Sequence, residues 1–304
     1  MIVLMFPGQG AQAVGMGKEL ADAFPSARAA FEEADDALGY PLSTIIFEGP
    51  AERLTQTDVC QPALVATSVA AWRVATEHGL IGDLVIGHSL GEYSALVAAG
   101  SMPYADALQV VAERGAAMQA AADASPGAMA AILGSDDAAV EAMCAAAGEV
   151  WPANFNCPGQ VVVSGTVDGV DRLLRAAVDA GVKAARLQVS GAFHSPLMVP
   201  AAERLEPALA RWEPLSPAVP FLSTTTCVQE PPERMREVLL SQLTAPVRFG
   251  GAVEAALAAG ADTFVELGVG RVLSGLVKRV RRDARVLQVS TPADLVGLAE
   301  VVGS

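Results

Sequence analysis

Residues 84–92 read Leu84-Val85-Ile86-Gly87-His88-Ser89-Leu90-Gly91-Glu92. The apolar run at the start is a strand. Gly87 and Gly91 then bracket Ser89 in a GxSxG pattern, and a helix follows. A sharp strand-to-helix turn projects the serine oxygen outward, and the glycines leave room for that turn and for close helix packing. Backbone N–H groups and the positive dipole end at the start of the helix favour a developing oxyanion. The bland reading is a serine packed in an ordinary tight turn; the strand–turn–helix context favours a nucleophile.

Working outward, Ile2 to Phe6 is another apolar run that ends in Pro7 and a glycine loop, as a buried strand does. Helical periodicity runs from Gly17 to Leu38 with a break at Pro25, from Pro62 to Glu77, and from Tyr104 to Ala122. From Ala128 the pattern changes to strand 128–133, helix 137–147, strands 150–156 and 160–164 joined at Cys157-Pro158-Gly159, helix 170–180 and strand 184–189. That βαββαβ order is a ferredoxin-like unit. Beyond it come helix 197–211, strand 219–223, helices 233–243 and 252–259, strand 263–267, helix 272–282 and strand 286–289. The fold class expected is α/β: a parallel-sheet, α/β-hydrolase-like core with an inserted ferredoxin-like subdomain. The large subdomain is expected at residues 1–122 and 191–304, the small one at 123–190.

Composition narrows the function. With 304 residues, 52% of them hydrophobic, and a mean hydropathy of +0.38, there is enough apolar material for a sizeable core. The longest uncharged stretch, 150–167, is interrupted by Pro152, Asn154, Asn156 and Pro158, so no membrane span is expected. No basic, apolar leader opens the chain, and a cytoplasmic location is expected. A net charge of −14 argues against nucleic acid as a partner. Cys60, Cys144, Cys157 and Cys227 form no CxxC pair, so neither a zinc site nor a disulfide framework is expected.

A serine hydroxyl is a weak nucleophile until a base takes its proton. Three histidines are available. His88 adjoins the serine on the elbow and is expected to point elsewhere. His78 sits at a helix end, where a structural role is the better reading. His194, in Ser190-Gly191-Ala192-Phe193-His194-Ser195-Pro196, lies on a loop between a strand and a helix and is left as the base. Arg114 stands among Ala112, Ala116, Ala117 and Met118 on a helix, where a guanidinium is costly unless it is paired. Holding an anionic substrate is one reading; snorkelling to solvent or pairing with Glu113 or Asp106 is the other.

Spaced motifs in order along nearly the whole chain carry a resemblance. They are Phe6-Pro7-Gly8-Gln9-Gly10, Gln61-Pro62-Ala63-Leu64, Gly87-His88-Ser89-Leu90-Gly91-Glu92, Glu113-Arg114-Gly115, Asn154-Phe155-Asn156-Cys157-Pro158-Gly159-Gln160, Gly191-Ala192-Phe193-His194, Gln242-Leu243 with Pro246-Val247, and Glu266-Leu267-Gly268-Val269-Gly270. In these the chain resembles the malonyl-CoA:acyl-carrier-protein transacylases of type II fatty-acid synthesis, and the related acyltransferases of polyketide synthesis. The resemblance implies Ser89 as the acylated nucleophile and His194 as general base and then acid. It implies the main-chain carbonyl of Gln242 as orienter of that histidine, and the N–H groups of Gln9 and Leu90 as oxyanion hole. It further implies that Arg114 holds a malonyl carboxylate, with Gln61, His88, Asn156 and Phe193 lining the substrate. A bulky residue such as Phe193 goes with malonyl over methylmalonyl in related polyketide acyltransferases. Malonyl-CoA and acyl carrier protein are the expected partners of an expected monomer, with no metal and no cofactor, the CoA thioester being a substrate.

Two patterns compete. Gly8-Gln9-Gly10-Ala11-Gln12-Ala13 fits a dinucleotide fingerprint, but the stretch that should hold its acidic strand, around Phe31-Glu32-Glu33-Ala34-Asp35, is helical. Lys278, Arg279, Arg281, Arg282 and Arg285 with Asp283 make a local +4, joined by Lys183 and Arg186 across the expected cleft. This is a candidate surface for an acidic carrier protein or CoA phosphates, or else a set of cations favoured at a helix C-terminus. A serine esterase or thioesterase would share the elbow but would want an acidic triad member between Ser89 and His194. A trans-acting polyketide acyltransferase would share the chemistry with a different carrier.

Overall fold

The computed structural model describes residues 1–189 and 191–302. Ser190, the last residue expected in the small subdomain, lies outside the described residues with 303 and 304. The strands are β1 (Ile2–Phe6), β2 (Leu84–Gly87), β3 (Gly127–Leu133), β4 (Val150–Cys157), β5 (Gln160–Thr166), β6 (Lys183–Arg186), β7 (Thr263–Leu267) and β8 (Arg285–Val289). They form two sheets. One is parallel, in the order β2-β1-β7-β8; the other is antiparallel, in the order β4-β5-β3-β6. The mixed α/β class is the one expected, and the order of the second sheet is the ferredoxin-like arrangement.

The parallel sheet is covered on both faces, which is why its strands read as continuous apolar runs rather than alternating ones. Successive side chains of β1 point to opposite faces. Leu4 and Phe6 enter a core with the helices Thr57–Glu77, Gly91–Ala98 and Tyr104–Ala124. Val3 and Met5 enter another with the helices Phe249–Ala258 and Val272–Val280. A separate core fills the space between the antiparallel sheet and the helices Asp137–Ala147 and Val167–Asp179.

The structure corrects several expected elements. The helix expected from Pro62 begins at Thr57, with the proline inside it. Val59, Cys60 and Gln61 are buried there, and their packing holds the turn that the missing proline N–H weakens. No strand forms at 219–223. Phe221 makes a single parallel bridge to Val85, with Leu222 N–H donating to the Val85 carbonyl at 3.0 Å. Pro220 has no N–H for a ladder, and Ser223 and Thr224 turn away to bond a buried carboxylate. The strand expected to run to Val189 stops at Arg186. A 3-10 turn, Pro196–Met198, precedes the helix Val199–Arg211. The short helices Leu42–Glu48, Ala51–Leu54 and Leu295–Val302 were not anticipated. Among the described residues, no helix is long and apolar enough to cross a membrane.

Candidate active site

β2 delivers the chain to Ser89 at the mouth of the parallel sheet, and the turn there is tight. A Cβ on Gly87 would lie 2.1 Å from the Gly91 carbonyl carbon, and one on Gly91 would lie 2.0 Å from the Phe6 carbonyl oxygen, so only glycine fits either place. Ser89 itself has a φ of 52°, in the left-handed region. A side chain in that region marks a strained backbone held by its surroundings. The helix Gly91–Ala98 starts directly after it. Among the described residues, the main-chain N–H groups of Leu90 and Gln9 have no hydrogen-bond acceptor.

His194 is brought to the same place from a loop 105 positions along the chain. Ser89 Oγ stands 2.8 Å from His194 Nε2, and His194 Nδ1 stands 2.8 Å from the Gln242 carbonyl oxygen. A carbonyl can only accept, so Nδ1 carries the proton and Nε2 is free to take one from the serine. Burial first, and the nearby Arg114 cation second, push the His194 pKa down to about 3, against the pull of the Gln242 carbonyl. The imidazole therefore stays neutral far below its ordinary range. Inactivation by the uncharged serine reagent phenylmethylsulfonyl fluoride should accordingly proceed at the same rate at about pH 5.5 as at about pH 7.5. An unperturbed imidazole would lose about tenfold over that interval. A fall centred near the ordinary histidine pKa would show that His194 is solvated, contrary to this geometry.

Arg114 is also here. It is 1% exposed, so it neither snorkels nor meets Glu113, which pairs with Arg211 at the surface. Its Nη1 donates to Gln61 Oε1 at 2.8 Å, and its Nη2 to Gln242 Oε1 at 3.0 Å and to Ser89 Oγ at 3.1 Å. Its guanidinium carbon is 5.7 Å from the Tyr93 ring centre. Burial lowers the Arg114 pKa, while Tyr93 and Glu92 oppose that shift. Nε is buried without an acceptor among the described residues. Two amide oxygens thus grip the guanidinium, and Nη2 also reaches the serine oxygen.

Of the other expected site residues, His88 points away from Ser89. Its Nε2 lies 2.9 Å from Asn156 Oδ1 on β4, and burial lowers its pKa. That pair ties the elbow to the antiparallel sheet. Phe193 is half-buried and lines a cavity of about 680 Å³ with Gln9, Thr57 and Arg186. His194 lines a separate cavity of about 540 Å³ with Trp151, Pro152, Phe155, Pro246 and Arg248. Of the basic run, Lys278 Nζ donates to the Ala284 carbonyl at 2.7 Å, in the turn that follows its helix, and Arg279 reaches Gln160 on β5 at 2.7 Å. Arg186 pairs with Asp171. Among the described residues, no group of three or more His, Cys, Asp or Glu side chains could hold a metal ion.

Sequence reasoning missed what stands behind the site. Gln242 contributes its side chain as well as its carbonyl: Nε2 donates to the Ser89 carbonyl at 3.1 Å and to Glu92 Oε2 at 2.6 Å. Glu92 lies inside the quoted elbow motif, yet nothing in that motif says that its carboxylate meets Gln242, 150 positions away.

Comparisons with known proteins place the chain in a family. The family described as acyl transferase domain matches residues 3–300. The malonyl CoA-acyl carrier protein transacylase of Bacillus subtilis is 46% identical over 297 residues, which cover 96% of this chain and 94% of that one. The solved acyl-carrier-protein-S-malonyltransferase of Bartonella henselae is 42% identical, with a TM-score of 0.95 and coverage of 100% of this chain and 99% of that one. A solved malonyl-transacylase in complex with its type II PKS acyl-carrier protein is 41% identical, with a TM-score of 0.95 and coverage of 99% of each chain. Likeness of this extent over nearly the whole chain makes it a member of the acyl transferase domain family, among the malonyl CoA-acyl carrier protein transacylases.

Proposed function

We propose that this chain moves a malonyl group from malonyl-CoA to the phosphopantetheine thiol of an acyl carrier protein, for fatty-acid synthesis, through an ester on Ser89. The observation that carries the reading is a single hydroxyl, 2.8 Å from a neutral imidazole nitrogen and 3.1 Å from a buried guanidinium. Ser89 Oγ attacks the thioester carbonyl as its proton passes to His194 Nε2. The carbonyl oxygen becomes an oxyanion facing the free N–H groups of Leu90, at the start of a helix, and of Gln9, in the loop after β1. The carbon–sulfur bond breaks, and His194 returns the proton to the departing CoA thiolate. The second half repeats these steps with the carrier thiol as nucleophile and Ser89 as leaving group.

Arg114 supplies selection, because its donors can take the free carboxylate of a malonyl group in a two-pronged contact. Gln61 holds the guanidinium and Phe193 bounds the pocket; Asn156 and His88 brace its far wall. The small subdomain, which we place at residues 123–190, forms part of the approach to His194 through Trp151, Pro152 and Phe155. A cytoplasmic monomer with no cofactor beyond its CoA substrate completes the reading; a stable dimer in light scattering would remove the monomer.

The related complex with a type II PKS carrier supports a second reading, that the carrier served is a polyketide one. A serine esterase is disfavoured because a main-chain carbonyl, not a carboxylate, orients His194, and because a cation rather than an open apolar slot faces the serine. The test is intact-protein mass after brief exposure to malonyl-CoA, acetyl-CoA and methylmalonyl-CoA in parallel. A malonyl adduct on Ser89, formed well ahead of the other two, is expected. An unmodified protein with malonyl-CoA would end the reading.

A further inference from the structure

Glu92 is wholly buried at the start of the helix Gly91–Ala98, and no step of the transfer uses it. Its Oε1 accepts from Ser223 Oγ at 2.9 Å, Thr224 N at 2.5 Å and Thr224 Oγ1 at 2.9 Å; its Oε2 accepts from Gln242 Nε2 at 2.6 Å. Burial pushes its pKa up to about 7, and these donors pull the other way. A site lined with donors fits a carboxylate, and so does a buried guanidinium one amide away.

We infer that Glu92 is a positioning residue for acyl-group selection: it fixes which way the Gln242 amide faces, and so keeps an oxygen against Arg114. The inference rests on the malonyl reading and deepens it. An amide has two unlike ends. One Gln242 Nε2 hydrogen goes to Glu92 Oε2 and the other to the Ser89 carbonyl, which leaves Oε1 to accept from Arg114 Nη2. A reversed amide would set an NH2 group against the guanidinium and an oxygen against the carboxylate, both repulsive. The Ser89 carbonyl favours the same orientation, and the shorter, charged contact to Glu92 enforces it most strongly. The relay also explains why the negative charge is not placed on Arg114 directly. A carboxylate in contact with the guanidinium would occupy its donors and repel a malonyl carboxylate. One amide removed, it steadies the cation without placing a second carboxylate against it.

The test compares kcat/KM for malonyl-CoA and acetyl-CoA in the wild-type chain, Glu92→Gln, Gln242→Met and the double variant, with thermal melting of each. Gln at 92 can satisfy Ser223 and Thr224 with its oxygen but turns an NH2 toward Gln242. The malonyl-over-acetyl ratio should then fall about 10- to 100-fold, the effect of one lost hydrogen bond to a charged group. The loss should come mainly through the KM for malonyl-CoA, because the contact is made in ground state and transition state alike. The double variant should be no worse than Gln242→Met alone, since Glu92 acts through that amide. An unchanged ratio in a folded Glu92→Gln, or additive losses in the double variant, overturns the inference. Should Glu92→Gln fail to fold, Gln242→Met decides alone: a retained ratio overturns the inference and a fall of the stated size supports it. Absence of a malonyl ester on wild-type Ser89 would instead sink the malonyl reading itself, so the two failures are told apart.

Discussion

Arg114→Ala should lower kcat/KM for malonyl-CoA by about 100- to 1,000-fold and abolish the preference for malonyl over acetyl groups. The guanidinium is the only one within hydrogen-bond reach of Ser89 Oγ among the described residues, and it is already held by Gln61 and Gln242 before any ligand arrives. A carboxylate entering this buried space without it would be an unpaired charge in a poorly hydrated site, which is where the large factor comes from. Acetyl-CoA carries no such charge and should lose much less. The alanine also leaves a hollow beside the ester, where water can enter, so the ratio of hydrolysis to transfer should rise. Arg114→Lys should not rescue selection, because a single ammonium cannot reproduce a planar fork gripped by two amides. The measurement is the pair of kcat/KM values with the rate of malonyl-CoA hydrolysis without carrier; an unchanged malonyl-over-acetyl preference rejects the role of Arg114.

His194→Ala should slow formation of the Ser89 ester by about 1,000- to 10,000-fold with every acyl-CoA, leaving the preference among them intact. The two side chains form one unit: the serine proton has an acceptor at 2.8 Å and the other imidazole nitrogen is fixed at 2.8 Å by a carbonyl. Removing the ring deletes the base and leaves the Leu90 and Gln9 N–H groups and Arg114 in place, so residual activity should remain above the uncatalysed reaction. Time-resolved intact mass reads this directly. An ester that forms at the wild-type rate would mean that another group activates Ser89. The two substitutions thus separate the roles, one acting on which acyl group is taken and the other on how fast any is taken.

The elbow was legible because its requirements are local. Gly87 and Gly91 are needed within a few residues of Ser89, and the apolar strand before it can be recognised by itself. His194 was picked out by eliminating two other histidines, whereas the cost of Arg114 on an apolar helix face left two readings open and only the family resemblance weighed between them. The ferredoxin-like unit was legible from element order alone, and the sheet order agrees with it. What was misread depended on partners elsewhere in the chain. The 219–223 stretch has the composition of a strand, but Glu92 captures its end. Pro62 reads as the start of a helix, but core packing carries that helix through it.

From residue order alone, then, came the class of fold, the serine elbow and His194 as its candidate base, because each is marked by a short-range pattern or by the scarcity of its residue type; the burial of Arg114 was left open there. Only the folded chain decided how the buried polar groups satisfy one another. Gln61, Glu92, Ser223, Thr224 and Gln242 come from separate segments, and a hydrogen bond in a low-dielectric interior depends on tenths of an ångström and on which end of an amide faces which neighbour. Such geometry is a property of packing, and it leaves no trace in local sequence.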